Sequence, residues 1–80
     1  MITSDQIRAA RALLRWSSSE LAEKSGIGTA TIKRIEVMSG VPSGNTKTLH
    51  AIKSTLEAAG VEFLGGADNG AGVRYKLNQN

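Results

Sequence analysis

Side chains able to do covalent chemistry are scarce in this sequence of 80 residues. His50 is the one histidine and there is no cysteine, so the usual pairing of a nucleophile with a base has almost nothing to draw on. The carboxylates Glu20, Glu23, Glu36, Glu57 and Glu62 are scattered without a convergent pattern. Metal clusters of the usual His/Cys spacing are absent. The glycine-rich stretch from Gly65 to Gly72 lacks the Gly-Lys-Ser/Thr ending of a phosphate loop and leads into a strand, not a helix. Neither an enzyme nor a metal or cofactor protein is predicted. What remains is cationic and hydrogen-bonding chemistry. Lys and Arg number 10 against 7 Asp and Glu, a net charge of +3, with a pI near 9.7. That balance is mild evidence for a polyanionic partner, and the placement of the charges matters more than their sum.

The elements that must place those charges fit one domain, since so short a chain cannot divide its apolar side chains between two cores. With one Trp, one Tyr and one Phe, aliphatic side chains fill most of the interior. No run approaches the roughly 20 apolar residues that span a bilayer. The start, Met-Ile-Thr-Ser-Asp-Gln, has an acid where a secretory signal needs bases. The sequence is read as soluble and cytoplasmic, with no membrane partner.

A first helix is predicted from about Asp5 to Arg15, capped by Thr3 or Ser4. Ile7, Ala10, Leu14 and the stem of Arg11 share one stripe, extended by Leu13 and Trp16 toward the next segment. Ser17 and Glu20 have the spacing of a capping box, so a short helix follows over about 18–24 and buries Leu21 and Ala22. Gly26 suits the left-handed position that ends it. The third helix runs over about 29–38, with Ile32 and Ile35 inward and Lys33 and Arg34 outward. Gly40 and Pro42 terminate it. After a loop from Ser39 to Gly44, Asn45 caps a fourth helix over about 46–59. Leu49, Ile52, Leu56 and Ala59 form its inner face, and Gly60 stops it. Trp16 is read as a core anchor, and His50, Lys47 and Lys53 as residues of a solvated face.

The pattern then alternates. Val61-Glu62-Phe63-Leu64 and Val73-Arg74-Tyr75-Lys76-Leu77 read as two strands of a hairpin around a long mobile turn. Glu62 can face Arg74 or Lys76 across it, while Phe63, Val73 and Tyr75 lie against the helices. Asn78 to Asn80 are read as a frayed tail. The predicted fold is mainly α: four helices in residues 1–60, then a β-hairpin and tail in 61–80 that belong to the same domain.

The most informative spacing lies between Ser18 and Val37. Counting Ser18 as position one, Ala22 is fifth, Gly26 ninth, Ile27 tenth, Ile32 fifteenth and Ile35 eighteenth. A small Ala22 lets the second and third helices approach closely, and Gly26 permits the sharp turn between them. Leu21, Ile27, Ile32 and Ile35 fix the pair to the rest. Such a helix-turn-helix presents the outer face of its third helix to a major groove.

The stretch from Ile7 to Leu14, then Trp16-Ser17 and Glu20-Leu21-Ala22, resembles the Cro/XRE family of phage-repressor-like regulators. So do Ser25-Gly26-Ile27, Thr31-Ile32-Lys33-Arg34-Ile35-Glu36 and the later Pro42. The resemblance spans about residues 5–60 and implies a bacterial or phage-type transcriptional regulator. It places base reading on Thr29, Ala30, Thr31 and Arg34, with Lys33 beside them able to reach bases or phosphates. It places phosphate binding on Ser17 and Ser18, and on the loop through Asn45 and Lys47. It also matches Arg11 and Glu36 to a largely buried structural ion pair between helices one and three. In much of the family a fifth helix stands where this sequence has its hairpin.

Arg34 can donate two parallel hydrogen bonds to a guanine, worth about 1–3 kcal/mol of discrimination. Thr29 and Thr31 can bond to a base or set a methyl against thymine, and Ala30 offers apolar contact alone. So thin a surface is usually doubled by a symmetric dimer on an inverted repeat, with half-sites about 10 base pairs apart or a multiple of that. The sequence is thus read as a double-stranded DNA-binding repressor acting as a homodimer. Two other readings stand beside it: the antitoxin of a toxin–antitoxin pair, holding its toxin by the hairpin or a nearby face, and an interaction module that has lost DNA binding. The hairpin has two readings as well. Phe63, Val73 and Tyr75 either form a dimer interface or cover helices one and four in place of the missing fifth helix.

Overall fold

The computed structural model describes residues 2–66 and 68–76. Leu77, read as the end of the second strand, and the tail Asn78 to Asn80 lie outside the described residues, as does Ala67 in the glycine-rich turn. Four helices precede a two-stranded antiparallel sheet: α1 Ser4–Leu14, α2 Ser18–Ser25, α3 Thr29–Glu36, α4 Thr46–Ala58, β1 Val61–Leu64 and β2 Gly72–Tyr75. The fold is mainly α with a C-terminal hairpin, the class predicted from the sequence.

Side-chain caps set where three of the four helices start. Thr3 caps α1 reciprocally: its hydroxyl accepts from the Gln6 amide at 3.1 Å, and the Gln6 side-chain oxygen accepts from the Thr3 amide at 2.8 Å. Ser4, the other candidate cap, is buried instead and donates its hydroxyl to the Ile35 carbonyl at 2.7 Å. Arg15 closes α1 in the left-handed region (φ 59), so the helix stops one residue before the predicted boundary. A residue with a Cβ is disfavoured there by about 1–2 kcal/mol. The Ser17–Glu20 box starts α2 as predicted, and Gly26 (φ 75) closes it by donating to the Ala22 carbonyl at 2.9 Å. Asn45 caps α4 through the Lys47 amide at 2.8 Å.

Boundaries differ at other ends. The third helix stops at Glu36, two residues short of Met38, and Val37 closes it with ψ near zero. Ser39-Gly40 then turns away, held where the Ser4 amide donates to the Gly40 carbonyl at 2.9 Å. α4 stops one residue early because the Ala59 and Gly60 amides fold back onto carbonyls of its last turn. α2 runs one residue longer than predicted, through Ser25.

Ile7, Ala10, Leu21, Ile32, Ile35, Ile52 and Leu56 are the centre of the core, joined by Ile2, Ala22, Leu49 and Val61. Fully burying one such branched aliphatic stabilises by roughly 1.5–3 kcal/mol. Leu14, Trp16, Ile27, Phe63 and Val73 pack around it, half-buried. Leu13 does not join the stripe and is 41% exposed. At about 100° per residue it sits well off the line through Ile7, Ala10 and Leu14.

The hairpin pairs Val61 with Tyr75, Glu62 with Arg74, Phe63 with Val73 and Leu64 with Gly72. Opposite residues share a face, so Val61, Phe63 and Val73 turn to the core while Glu62 and Arg74 form an exposed ion pair at 2.7 Å. Tyr75 departs from the expectation that it packs against the helices: it lies over Gly60 and remains 39% exposed. A Cβ at Gly60 would stand 2.9 Å from that ring and 2.9 Å from the Lys76 carbonyl, so glycine there lets the hairpin close on the end of α4. Gln6 is the hidden clamp. Its buried side-chain amide donates to the Leu64 carbonyl at 3.0 Å and the Gly72 carbonyl at 2.9 Å, tying the turn end of the hairpin to the start of α1.

Candidate nucleic-acid interface

The outward charge of α3 is fixed by what its inner side must do. Ile32, Ile35 and Glu36 are buried, which forces Ala30, Lys33 and Arg34 to solvent. Thr29 and Thr31 sit half-buried at the flanks of the first turn. Gly28 gives α3 no side-chain cap, and its first turn holds no acid. The leading amides and the positive end of the helix dipole are therefore left for an external acceptor.

Glu36 is kept inside by Arg11. The Arg11 Nε donates to Oε2 at 2.9 Å and Nη2 to Oε1 at 2.9 Å, while Nη1 donates to the Trp16 carbonyl at 3.0 Å. The hydrogen bond to Glu36 raises the Arg11 pKa above its ordinary value, against the lowering effect of partial burial. This pair joins α1 to the last residue of α3 and so fixes the rotation of the outer face.

Three further cations are engaged elsewhere, whereas Arg15, Lys53 and Lys76 form no ion pair among the described residues. Arg8 pairs with Asp5, Arg74 with Glu62, and Lys24 lies 5.2 Å over the Trp16 ring. Among the described residues, Lys33, Arg34 and Lys47 form no ion pair. Their charge is directed outward.

At the start of α2 the capping box occupies two of the groups assigned to phosphate. The Ser17 amide donates to Glu20 Oε1 at 2.8 Å, and the Ser17 hydroxyl oxygen accepts from the Glu20 amide at 3.0 Å. The donors left there are the Ser17 hydroxyl proton and the Ser18 and Ser19 amides and hydroxyls. Asn45 and Lys47 lie exposed at the start of α4. The cap engages Asn45 Oδ1, which leaves the side-chain amide nitrogen free to donate.

Phe63 and Val73 sit opposite each other on the inner face of the hairpin, packed on the core, whereas Tyr75 lies over Gly60 at the end next to α4. The structure also exposes a residue that the sequence pattern did not single out. Val37 is 81% exposed at the end of α3, seven residues beyond Ala30 and on the same side of the helix. That seven-residue spacing was the signal for it in the sequence.

A short α2, a glycine-closed turn and an α3 with a charged, uncapped outer face define a helix-turn-helix DNA-binding domain. The helix-turn-helix family model of Cro/C1 type matches residues 7–46, from α1 to the first residue of α4. The chain belongs to the XRE family of helix-turn-helix transcriptional regulators. No curated protein matches it. Among the described residues no helix is long and apolar enough to cross a membrane.

Proposed function

We propose that this DNA-binding regulator is a repressor that grips an inverted-repeat operator as a homodimer and acts in the cytoplasm. The observation that carries the reading is the unpaired, outward Lys33 and Arg34 on a helix whose opposite side is locked by Ile32, Ile35 and the Arg11–Glu36 pair. Arg34 reads a guanine edge, Thr29, Ala30 and Thr31 read neighbouring bases, and Lys33 contacts a base or phosphate. Ser17, Ser18, Asn45 and Lys47 hold the backbone on either side. Residues 1–60 and 61–80 act as one domain, since Val61 belongs to the core and Gln6 holds the hairpin. Tyr75, the most exposed of the three candidate dimer residues, offers apolar surface of the hairpin to a second copy, as does the similarly exposed Leu64.

Selection of bound duplexes from a random pool at moderate salt tests this reading. Enrichment of an inverted repeat supports a dimeric operator-binding protein, and the spacing of its halves gives the dimer geometry. Binding without an enriched motif that collapses steeply with salt leaves counterion-driven affinity alone and overturns it.

A further inference from the structure

The centre of the outer face of α3 is apolar, and its flanks are cationic. At about 100° per residue, Val37 lies within about 20° of Ala30 around the helix, with Lys33 to one side and Arg34 to the other. Ile32, Ile35 and Glu36 occupy the opposite side and are buried. Val37 keeps a helical backbone (φ −94, ψ −3), so it continues this line at the end of the helix. At 81% exposure it contributes almost nothing to the core, and among the described residues it is the most open of the large hydrophobics. Among the described residues, nothing in the chain covers it.

We propose that Val37 is a specificity-determining residue whose side chain packs on the 5-methyl group of a thymine in each half-site. The inference rests on the operator-binding reading and names part of its code. Arg34 on one flank engages a guanine edge and Lys33 on the other a base or phosphate, which seats this face of the helix in the major groove. The apolar line between them is then pressed toward base edges, where the thymine methyl is the apolar group of the major groove. Ala30 and Val37 are about 10.5 Å apart along the axis, a span of at most about three base-pair steps. The thymine read by Val37 therefore lies up to about three pairs from the base that meets Ala30, with the Arg34 guanine between them.

The test compares the natural protein with Val37→Ser in duplex selection, then measures both on the selected site with that thymine replaced by deoxyuridine. Because Val37 is exposed, the variant keeps the melting temperature and solution mass of the natural protein. The natural protein is expected to enrich a thymine that the variant does not, and to lose about fourfold in affinity on deoxyuridine, the worth of one buried methyl group. The variant is expected to ignore the change. A thymine that survives Val37→Ser, or equal indifference of both proteins to deoxyuridine, overturns the assignment while leaving operator binding intact. A uniform loss of affinity on all sequences, or a changed solution mass, overturns it as well, in favour of a backbone or protein contact. No enriched motif even for the natural protein overturns the operator reading first and this assignment with it.

Discussion

Arg11 and Glu36 meet through two parallel hydrogen bonds of 2.9 Å each, with the Glu36 side chain only 6% exposed and that of Arg11 23%. The geometry is the planar fork of a guanidinium on a carboxylate, which a lysine cannot reproduce. Removing one partner strands the other in the interior. Glu36→Gln or Arg11→Ala is expected to lower unfolding stability by about 3 kcal/mol. Joint replacement by Arg11→Met and Glu36→Leu should restore most of it. Urea unfolding of the three variants checks this: a double variant as unstable as the sum of the single ones would show that the pair itself, not the stranded charge, holds α1 to α3.

Gln6 presents a second prediction, because its one side-chain amide nitrogen serves two carbonyls on the hairpin. Gln6→Ala leaves the Leu64 and Gly72 carbonyls and the Thr3 amide without their partner. A loss of about 2–3 kcal/mol is expected. Gln6→Glu should be worse at neutral pH, since a carboxylate oxygen would face the two carbonyls. Amide hydrogen exchange would locate the damage in residues 61–75 before the helices. Exchange unchanged there in both variants would remove Gln6 from the role of clamp.

How far these relationships were legible in the sequence depends on their range. Capping at Ser17 and Asn45, the turn at Gly26 and the aliphatic faces of the helices are set by residues within about one turn of each other, and spacing reveals them. Gln6 in a first turn looks like an ordinary surface residue. Its partners stand 58 and 66 positions away, where no periodicity points. Ser4 likewise reads as a cap, and only the approach of the end of α3 makes it a buried donor. The early end of α3 follows from that same hydrogen bond and from the Gly40 carbonyl beside it. The charged outer face was readable because Ile32 and Ile35 determine it. Val37 shares that face by spacing, but its exposure depends on where the helix ends.

The cross-strand pair of Glu62 and Arg74 gives the hairpin a mild acid sensitivity. Hydrogen bonding from Arg74 lowers the Glu62 pKa below its ordinary value. A carboxyl whose pKa is depressed by folding contributes stability above its unfolded value and loses it as pH falls through the folded one. Stability of the natural protein should therefore decline slightly more below the usual carboxylate range than that of Glu62→Gln. The effect is small because both side chains are exposed and screened. Thermal melts of the two proteins across the acid range check the sign, and a steeper decline in Glu62→Gln would reverse the argument.

Arg34 and Lys47 should separate reading from gripping. Arg34 is exposed and unpaired among the described residues, so Arg34→Ala is expected to fold as before. On the selected operator it should lose about 1–3 kcal/mol and become indifferent to the guanine it reads. Lys47→Ala should weaken every sequence alike and reduce the slope of log affinity against log salt by about 0.9 for each phosphate that Lys47 neutralises. Binding titrations at several salt concentrations, on the operator and on a scrambled duplex, measure both effects. An Arg34→Ala protein that keeps its preference would move base reading to the first turn of α3. A Lys47→Ala protein with an unchanged salt slope would take the start of α4 off the DNA backbone.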